Sequence, residues 1–119
     1  MDKVVIEGLV CQARVGVPEQ ERAQPQKLLL DLELGLDLSR AGQDDRVEQT
    51  VDYAAVCAEV KKWVEGRPFK LVEAVAQRTA ELVLEKFLVE EVKVRVRKFS
   101  VLGTASVGVE ITRLQRRGR

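Results

Sequence analysis

The sequence predicts an α+β fold in which a four-stranded antiparallel sheet carries two helices on one face. Residues Lys27 to Asp37 alternate leucine with mostly polar residues, which indicates a strand with one face on a core. Residues Val92 to Lys98 alternate valine with cations in the same way. Two segments with helical spacing of apolar residues lie between these strands. With one further strand at each end, the predicted element order is ββααββ.

The outer strands and their turns follow from Gly, Pro and β-branched residues. Residues Lys3 to Val15 are rich in Val and Ile, and Gly16-Val17-Pro18 ends this first strand. The polar segment from there to Pro25 is predicted to be a loop. Gly103 marks the turn after the third strand, and Ser106 to Leu114 is the predicted fourth strand.

The two helices have recognisable ends. Asp52 is a plausible N-cap for a helix that runs to about Glu65, and Gly66 ends it. A polar connection, Ser39 to Gln49, precedes this helix. The second helix is predicted over roughly Leu71 to Phe87. The predicted apolar positions are Val56, Val60, Trp63 and Val64 in the first helix, and Val72, Val75, Ala76, Thr79, Leu82 and Val83 in the second.

Length and composition favour one soluble domain. The chain has 119 residues, 45% of them hydrophobic and 33% charged, and its net charge is +1. We expect a single domain over residues 1–114 and a frayed basic tail over residues 115–119. The balanced charge gives no argument for nucleic acid or a membrane surface, and no apolar run reaches membrane length. The first residues begin a strand rather than a signal peptide, so a cytoplasmic location is the default expectation.

Histidine is absent, which removes the commonest general base and the commonest metal ligand. Cys11 and Cys57 lie far apart in sequence and have no neighbour at metal-ligand spacing, so both are expected to be buried free thiols. We therefore expect no metal site. Any catalysis must then be performed by carboxylates, lysine, tyrosine or backbone groups.

The face of the sheet that the helices leave uncovered is charged. Strand two places Asp31 and Glu33 there, and strand three places Lys93, Arg95 and Arg97. Opposite charges on neighbouring strands can pair across the ladder. The edge strands also need cover, and closing several copies into an oligomeric barrel would remove the edges.

Four residues stand out as candidates for chemistry by type and position: Glu21, Tyr53, Glu73 and Lys98. Lys98 takes the next place in the valine series of strand three, at the end of an apolar face. Each also has an ordinary structural interpretation. Lys98 could lie in the turn, Glu21 could be a solvated loop charge, Tyr53 could pack its ring, and Glu73 could favour a helix N-terminus.

An ordered set of residues resembles the dihydroneopterin aldolase family of the tunnelling fold, whose subunit order is ββααββ. The set comprises Gly16-Val17-x-x-x-Glu21, Gln26-x-Leu28-x-x-Asp31, Thr50-Val51-Asp52-Tyr53-Ala54, Leu71-Val72-Glu73, Lys98 and Val107-Gly108-Val109-x-Ile111-x-Arg113. It covers essentially the whole chain. The resemblance implies retro-aldol cleavage of dihydroneopterin to 6-hydroxymethyl-dihydropterin and glycolaldehyde, a step of folate synthesis that uses no cofactor.

The resemblance also implies a role for each candidate. Glu73, with the backbone amides beside it at Val72, would anchor the amino-pyrimidine edge of the pterin. Lys98 would donate and accept a proton near N5. Tyr53 would assist proton transfer at the product carbon, and Glu21 would lie near the side-chain hydroxyls of the substrate.

In the family the sites lie between subunits, and tetrameric rings stack into homo-octamers, so the same assembly is expected here. One departure is Phe99, which stands where the family usually has proline after the lysine. Related dihydroneopterin triphosphate epimerases also lack that proline, which makes epimerisation the main alternative. A non-enzymatic oligomeric scaffold or binding protein, with Arg113, Arg116, Arg117 and Arg119 touching an acidic partner, is the distant one.

Overall fold

One antiparallel sheet with strand order β1-β2-β3-β4 forms the framework of the computed structural model, which describes residues 1–116. The strands are β1 (Lys3–Ala13), β2 (Gln26–Gly35), β3 (Glu91–Lys98) and β4 (Val107–Leu114). The helices are α1 (Glu19–Arg22), α2 (Ser39–Asp44), α3 (Tyr53–Glu65) and α4 (Val72–Lys86), with a 3-10 turn at Val47–Gln49. The predicted α+β class and the ββααββ order of the long elements are confirmed.

The core lies between the central strands and the two long helices. The alternate leucines of β2, including Leu30 and Leu32, are fully buried, and so are the alternate valines of β3. Leu30 lies opposite Val96, and Leu32 lies opposite Val94, so both strands present one continuous apolar face to the helices. A one-residue slip would turn these side chains towards solvent, so burial of this face fixes the register.

The helix ends follow the predicted capping chemistry. The Asp52 carboxylate accepts hydrogen bonds from the backbone N–H groups of Ala54 and Ala55 at 3.0 and 3.3 Å. Val56, Val60 and Val64 of α3 are buried, as predicted. The placement of Trp63 in the apolar stripe was wrong, because its side chain is 40% exposed and lies beside the Arg67 guanidinium, 5.6 Å from the ring centroid.

Both segments predicted to be polar loops contain short helices. The loop after β1 contains α1, and the connection after β2 contains α2 and the 3-10 turn. The first strand was predicted to reach Val15, but β1 ends at Ala13 and Val15 instead forms a parallel bridge with Phe69. This bridge ties the end of β1 to the segment that leads into α4.

Charges on the open face of the sheet pair across the ladder, as predicted. Arg97 donates to Asp31 at 3.0 Å, and Lys3 donates to Glu33 at 2.8 Å. Asp31 also accepts the backbone N–H of Gly8 at 2.7 Å, at a β-bulge where Gly8 has φ of 68°. Asp31 therefore holds an edge-strand bulge and a neighbouring-strand cation at the same time.

The beginning of the predicted tail is fixed rather than frayed. The Gln115 side-chain amide donates to the carbonyl oxygens of Leu84 and Val89, at 2.8 and 3.1 Å. Residues 117–119 of that prediction lie outside the described residues. No helix within residues 1–116 is long and apolar enough to cross a membrane.

Strands β1 and β4 are the two edges of the sheet, and closure of copies into a barrel stays a prediction.

Candidate active site

Lys98 is the last residue of β3 rather than part of the turn. It lies opposite Leu28 of β2 and Val107 of β4, so strand pairing fixes its backbone on both sides. Its Nζ donates to Glu21 Oε2 at 3.0 Å, and its side chain is 18% exposed. The interpretation of Lys98 as a turn residue is therefore wrong. Glu21 is a paired, partly buried side chain of α1 rather than a solvated loop charge.

Glu21 collects donors from three different segments onto one oxygen. Its Oε2 accepts from Lys98 Nζ, from Gln26 Nε2 at 3.1 Å and from Ser100 Oγ at 3.4 Å. The hydrogen bond from Gln26, followed by that from Lys98, holds the pKa of the Glu21 carboxyl below its ordinary value. The side chain is accordingly a carboxylate at neutral pH and forms a charge-assisted pair with the lysine.

Gly16 makes room for this carboxylate. A Cβ at Gly16 would collide with the carboxyl group of Glu21, and the residue has φ of 156°, which suits glycine. The Gly16 N–H donates to the carbonyl of Phe69 at 3.0 Å. Arg22 Nη1 donates to the carbonyls of Gly16 and Val17, which fixes α1 against the preceding segment.

Tyr53 and Glu73 lie at the N-termini of the two long helices. Tyr53 begins α3 and is 63% exposed, so it does not pack its ring in the core. Glu73 is in the first turn of α4 and is exposed, while Val72 before it is half-buried against the core. Within residues 1–116, no hydrogen bond or ion pair joins Tyr53 or Glu73 to the Glu21–Lys98 pair. A single chain thus assembles two of the four predicted residues and leaves the other two accessible.

Sequence reasoning assigned no role to three residues that build the pair. Gly16 and Gln26 stand in the ordered set that carries the family resemblance, and this was the only signal that marked them. Ser100 lies outside that set, directly after Phe99, so nothing marked it. The contact between Gln26 and Glu21 depends on how α1 folds back onto the start of β2, and a loop prediction contains no such geometry.

The described residues include no group of three or more His, Cys, Asp or Glu side chains that could hold a metal ion. Cys11 is fully buried, and burial raises the pKa of its thiol to about 11, so it remains protonated. Cys57 is half-buried and free. The side chains gathered around Lys98 offer proton transfer and hydrogen bonding.

A partly buried ammonium–carboxylate pair at a strand end can donate and accept protons, which are the steps of acid–base catalysis. The sequence model of the FolB dihydroneopterin aldolase family matches residues 4–112. The dihydroneopterin aldolase of Bacillus subtilis is 44% identical over 117 residues, which are 95% of this chain and 98% of that relative. The enzyme of Haemophilus influenzae is 36% identical over 114 residues, covering 95% and 97%.

A solved structure agrees with these relatives. The Escherichia coli dihydroneopterin aldolase in complex with neopterin superimposes with a TM-score of 0.91 at 38% identity, covering 95% of this chain and 99% of that one. The chain belongs to the dihydroneopterin aldolase family, whose enzymes are carbon–carbon lyases of folate synthesis. The predicted family, fold and activity are confirmed.

Proposed function

We propose that Lys98, Glu21, Tyr53 and Glu73 perform the aldolase reaction on 7,8-dihydroneopterin, releasing 6-hydroxymethyl-7,8-dihydropterin and glycolaldehyde. The observation that carries this assignment is the contact of 3.0 Å between Lys98 Nζ and Glu21 Oε2. This contact places a cationic proton donor and an anionic proton acceptor together at one partly buried strand end. A proton-transfer mechanism needs both groups.

The chemistry of the substrate explains why a proton donor and a proton acceptor are sufficient for the reaction. Cleavage of the carbon–carbon bond leaves an electron pair that needs an acceptor, and other aldolases supply a lysine Schiff base or a metal ion. A dihydropterin carries a C=N bond next to the breaking bond. Protonation at N5 makes that bond the electron acceptor. The protein has only to bind the ring, take the proton from the side-chain hydroxyl whose carbon becomes the aldehyde of glycolaldehyde, and manage the protons at N5 and at the product carbon.

Lys98 delivers the proton near N5 and later takes it back, with a water molecule as the relay. Glu21 accepts from Lys98 and fixes its direction, because the carboxylate is itself held by Gln26 and Ser100. The same carboxylate contacts the substrate's side-chain hydroxyls. Such a pre-set donor–acceptor pair reduces the reorganisation required when the bond breaks.

Glu73 and Tyr53 supply the remaining contacts. The Glu73 carboxylate accepts two parallel hydrogen bonds from the amino-pyrimidine edge, and the backbone amides beside it at Val72 add contacts. Tyr53 handles the proton at the product carbon. Both side chains are exposed in one chain, which supports a site completed by a neighbouring subunit. Closure of the β1 and β4 edges between cytoplasmic copies would form the proposed ring, and two rings would stack as an octamer.

The test is product analysis with purified protein, 7,8-dihydroneopterin and a chelator. We expect glycolaldehyde and 6-hydroxymethyl-7,8-dihydropterin in equal amounts, and an inactive Lys98→Ala variant as the control. No glycolaldehyde, or activity that the chelator abolishes, would contradict the proposal. Running the triphosphorylated substrate in parallel separates cleavage from epimerisation, because an epimerase returns an uncleaved stereoisomer.

A further inference from the structure

Gln26, the first residue of β2, uses both hydrogens of its side-chain amide. Its Nε2 donates to the carbonyl oxygen of Val15 at 2.8 Å and to Glu21 Oε2 at 3.1 Å. The side chain is partly buried, and both acceptors require the nitrogen rather than the oxygen, so the orientation of the amide is fixed. Gln26 therefore joins the reactive pair to the end of the first hairpin strand.

The contact between Gln26 and Val15 connects further to the segment before α4. Val15 is fully buried and forms a parallel bridge with Phe69, whose N–H donates to the Arg14 carbonyl at 2.8 Å. The chain continues from Phe69 directly into α4, where Glu73 lies in the first turn. One amide group thus connects the Glu21–Lys98 pair with the segment that carries the proposed pterin anchor.

We propose that Gln26 is a positioning residue for the cleavage: it holds the Glu21 carboxylate against Lys98 and fixes the pair relative to the segment leading to Glu73. This inference rests on the proposed function. Within residues 1–116, Gln26 and Lys98 both donate to Glu21 and share no hydrogen bond with each other, so Gln26 acts on Lys98 through Glu21. Without it, Oε2 keeps only Lys98 and the longer contact from Ser100, and the carboxylate is free to rotate.

Because of the groups around Glu21, loss of the Gln26 hydrogen bond can be measured as a change in the pKa of the Glu21 carboxyl. Within residues 1–116, Lys98 is the one titratable side chain in hydrogen-bond contact with Glu21, and its other contacts are the neutral Gln26, Ser100 and Gly16. Loss of the Gln26 donor therefore raises the pKa of the Glu21 carboxyl towards its ordinary value. A residue that only supported the fold would leave that pKa unchanged in a folded variant.

The experiment compares full-length wild type with Gln26→Leu and Gln26→Met, which both remove the donor without adding a charge beside Glu21, and with Gln43→Leu as the control. Gln43 is exposed in α2 and makes no side-chain hydrogen bond within residues 1–116, so it reports the cost of the same chemical change elsewhere. Gln26→Leu also leaves the Val15 carbonyl unpaired. Gln26→Met, with a flexible unbranched side chain, is the second variant in case the first does not fold, and circular dichroism checks both.

Two readouts are measured: kcat and KM for dihydroneopterin against pH, and the pH titration of the Glu21 carboxyl carbon by NMR. In folded variants we expect kcat to fall about tenfold or more because the pair is misaligned, with KM changed less than about twofold. The acidic limb of kcat and the Glu21 titration should both move to higher pH. The Gln43→Leu variant should match wild type in all of these.

Unchanged kcat and an unchanged Glu21 titration in a folded Gln26 variant would overturn the inference. So would a loss of activity that appears only in KM, because Gln26 would then act on substrate binding. The proposed function fails separately, when wild type itself releases no glycolaldehyde. In that case the catalytic role of Gln26 is also overturned, while the NMR titration still shows whether Gln26 holds the carboxylate.

Discussion

Lys98 and Glu21 are separated by 77 positions in sequence, yet Lys98 Nζ and Glu21 Oε2 lie 3.0 Å apart. Pairing of β2 with β3 places Lys98 beside Leu28, and α1 folds back so that Glu21 reaches the same end of the sheet. The pair forms within one chain. Its geometry is therefore set by the subunit fold, whereas Tyr53 and Glu73 remain open to a neighbouring copy.

Lys98→Ala is expected to remove the proton donor while leaving the ring-binding groups in place. We expect kcat to fall by about a hundred- to ten-thousand-fold, the usual contribution of general acid–base catalysis. The dissociation constant for a non-reacting pterin, measured by titration, should change much less. Lys62→Ala is the matched control, because Lys62 is exposed in α3 and forms no ion pair within residues 1–116. A binding defect that equals the loss of kcat would show that Lys98 is mainly an anchor.

Glu73→Ala is expected to act on binding instead. The carboxylate is proposed to accept two hydrogen bonds from the pterin edge, and hydrogen bonds to a charged group contribute about 1.5–3 kcal/mol each. KM and the dissociation constant for the pterin should therefore rise at least about tenfold. Glu85→Ala, an exposed glutamate further along the same helix, should bind like wild type. Tight pterin binding by Glu73→Ala together with lost turnover would reverse the roles assigned to Glu73 and Lys98.

The sheet could be predicted from the sequence, because apolar residues that alternate with polar ones along β2 and β3 are buried together only when one face of the sheet packs on a core. It was less reliable for Trp63, since a residue at the margin of a helical stripe is buried or exposed according to its neighbours. The joining of Glu21 to Lys98 could not be derived from spacing. It depends on the short helix α1 and on the amide of Gln26, both of which are tertiary features. Only the family resemblance brought the four site residues together beforehand.

Gly16→Ala is expected to disable the site through the backbone. The added Cβ would collide with the Glu21 carboxyl group, so Glu21 must move away from Lys98. We expect kcat to fall about tenfold or more as the pair is misaligned, and the melting temperature to drop because φ of 156° is strained for alanine. Gly42→Ala is the control, since nothing lies within 4 Å of a Cβ there. Wild-type turnover in Gly16→Ala would mean that the position of Glu21 does not matter to catalysis.

Two substitutions at Asp31 separate the contribution of its ion pair to stability from the contribution of its hydrogen bond to Gly8. Asp31→Asn keeps an oxygen for the Gly8 N–H but loses the ion pair with Arg97, while Asp31→Ala loses both. The partly exposed ion pair contributes about 0–1 kcal/mol, so Asp31→Asn should lower the free energy of unfolding only slightly. Asp31→Ala should cost about 1–3 kcal/mol more, because the bulge loses its acceptor. Urea unfolding measures both, and equal losses would assign the whole effect to the ion pair.

The stability of the fold should depend on Glu21 in a defined pH range. Hydrogen bonds from Gln26 and Lys98 lower the pKa of this carboxyl in the folded state below the ordinary value of 4.5. A lowered folded pKa stabilises the protein fully above the unfolded pKa, and the contribution disappears as pH falls through the folded pKa. Wild type should therefore melt at a higher temperature than Glu21→Gln near neutral pH, and the difference should shrink below pH 4.5. Glu19→Gln, an exposed change in the same short helix, is the control for the loss of a negative charge from α1. A difference between wild type and Glu21→Gln that grows towards acid would mean that Glu21 is destabilised as a carboxylate in the fold.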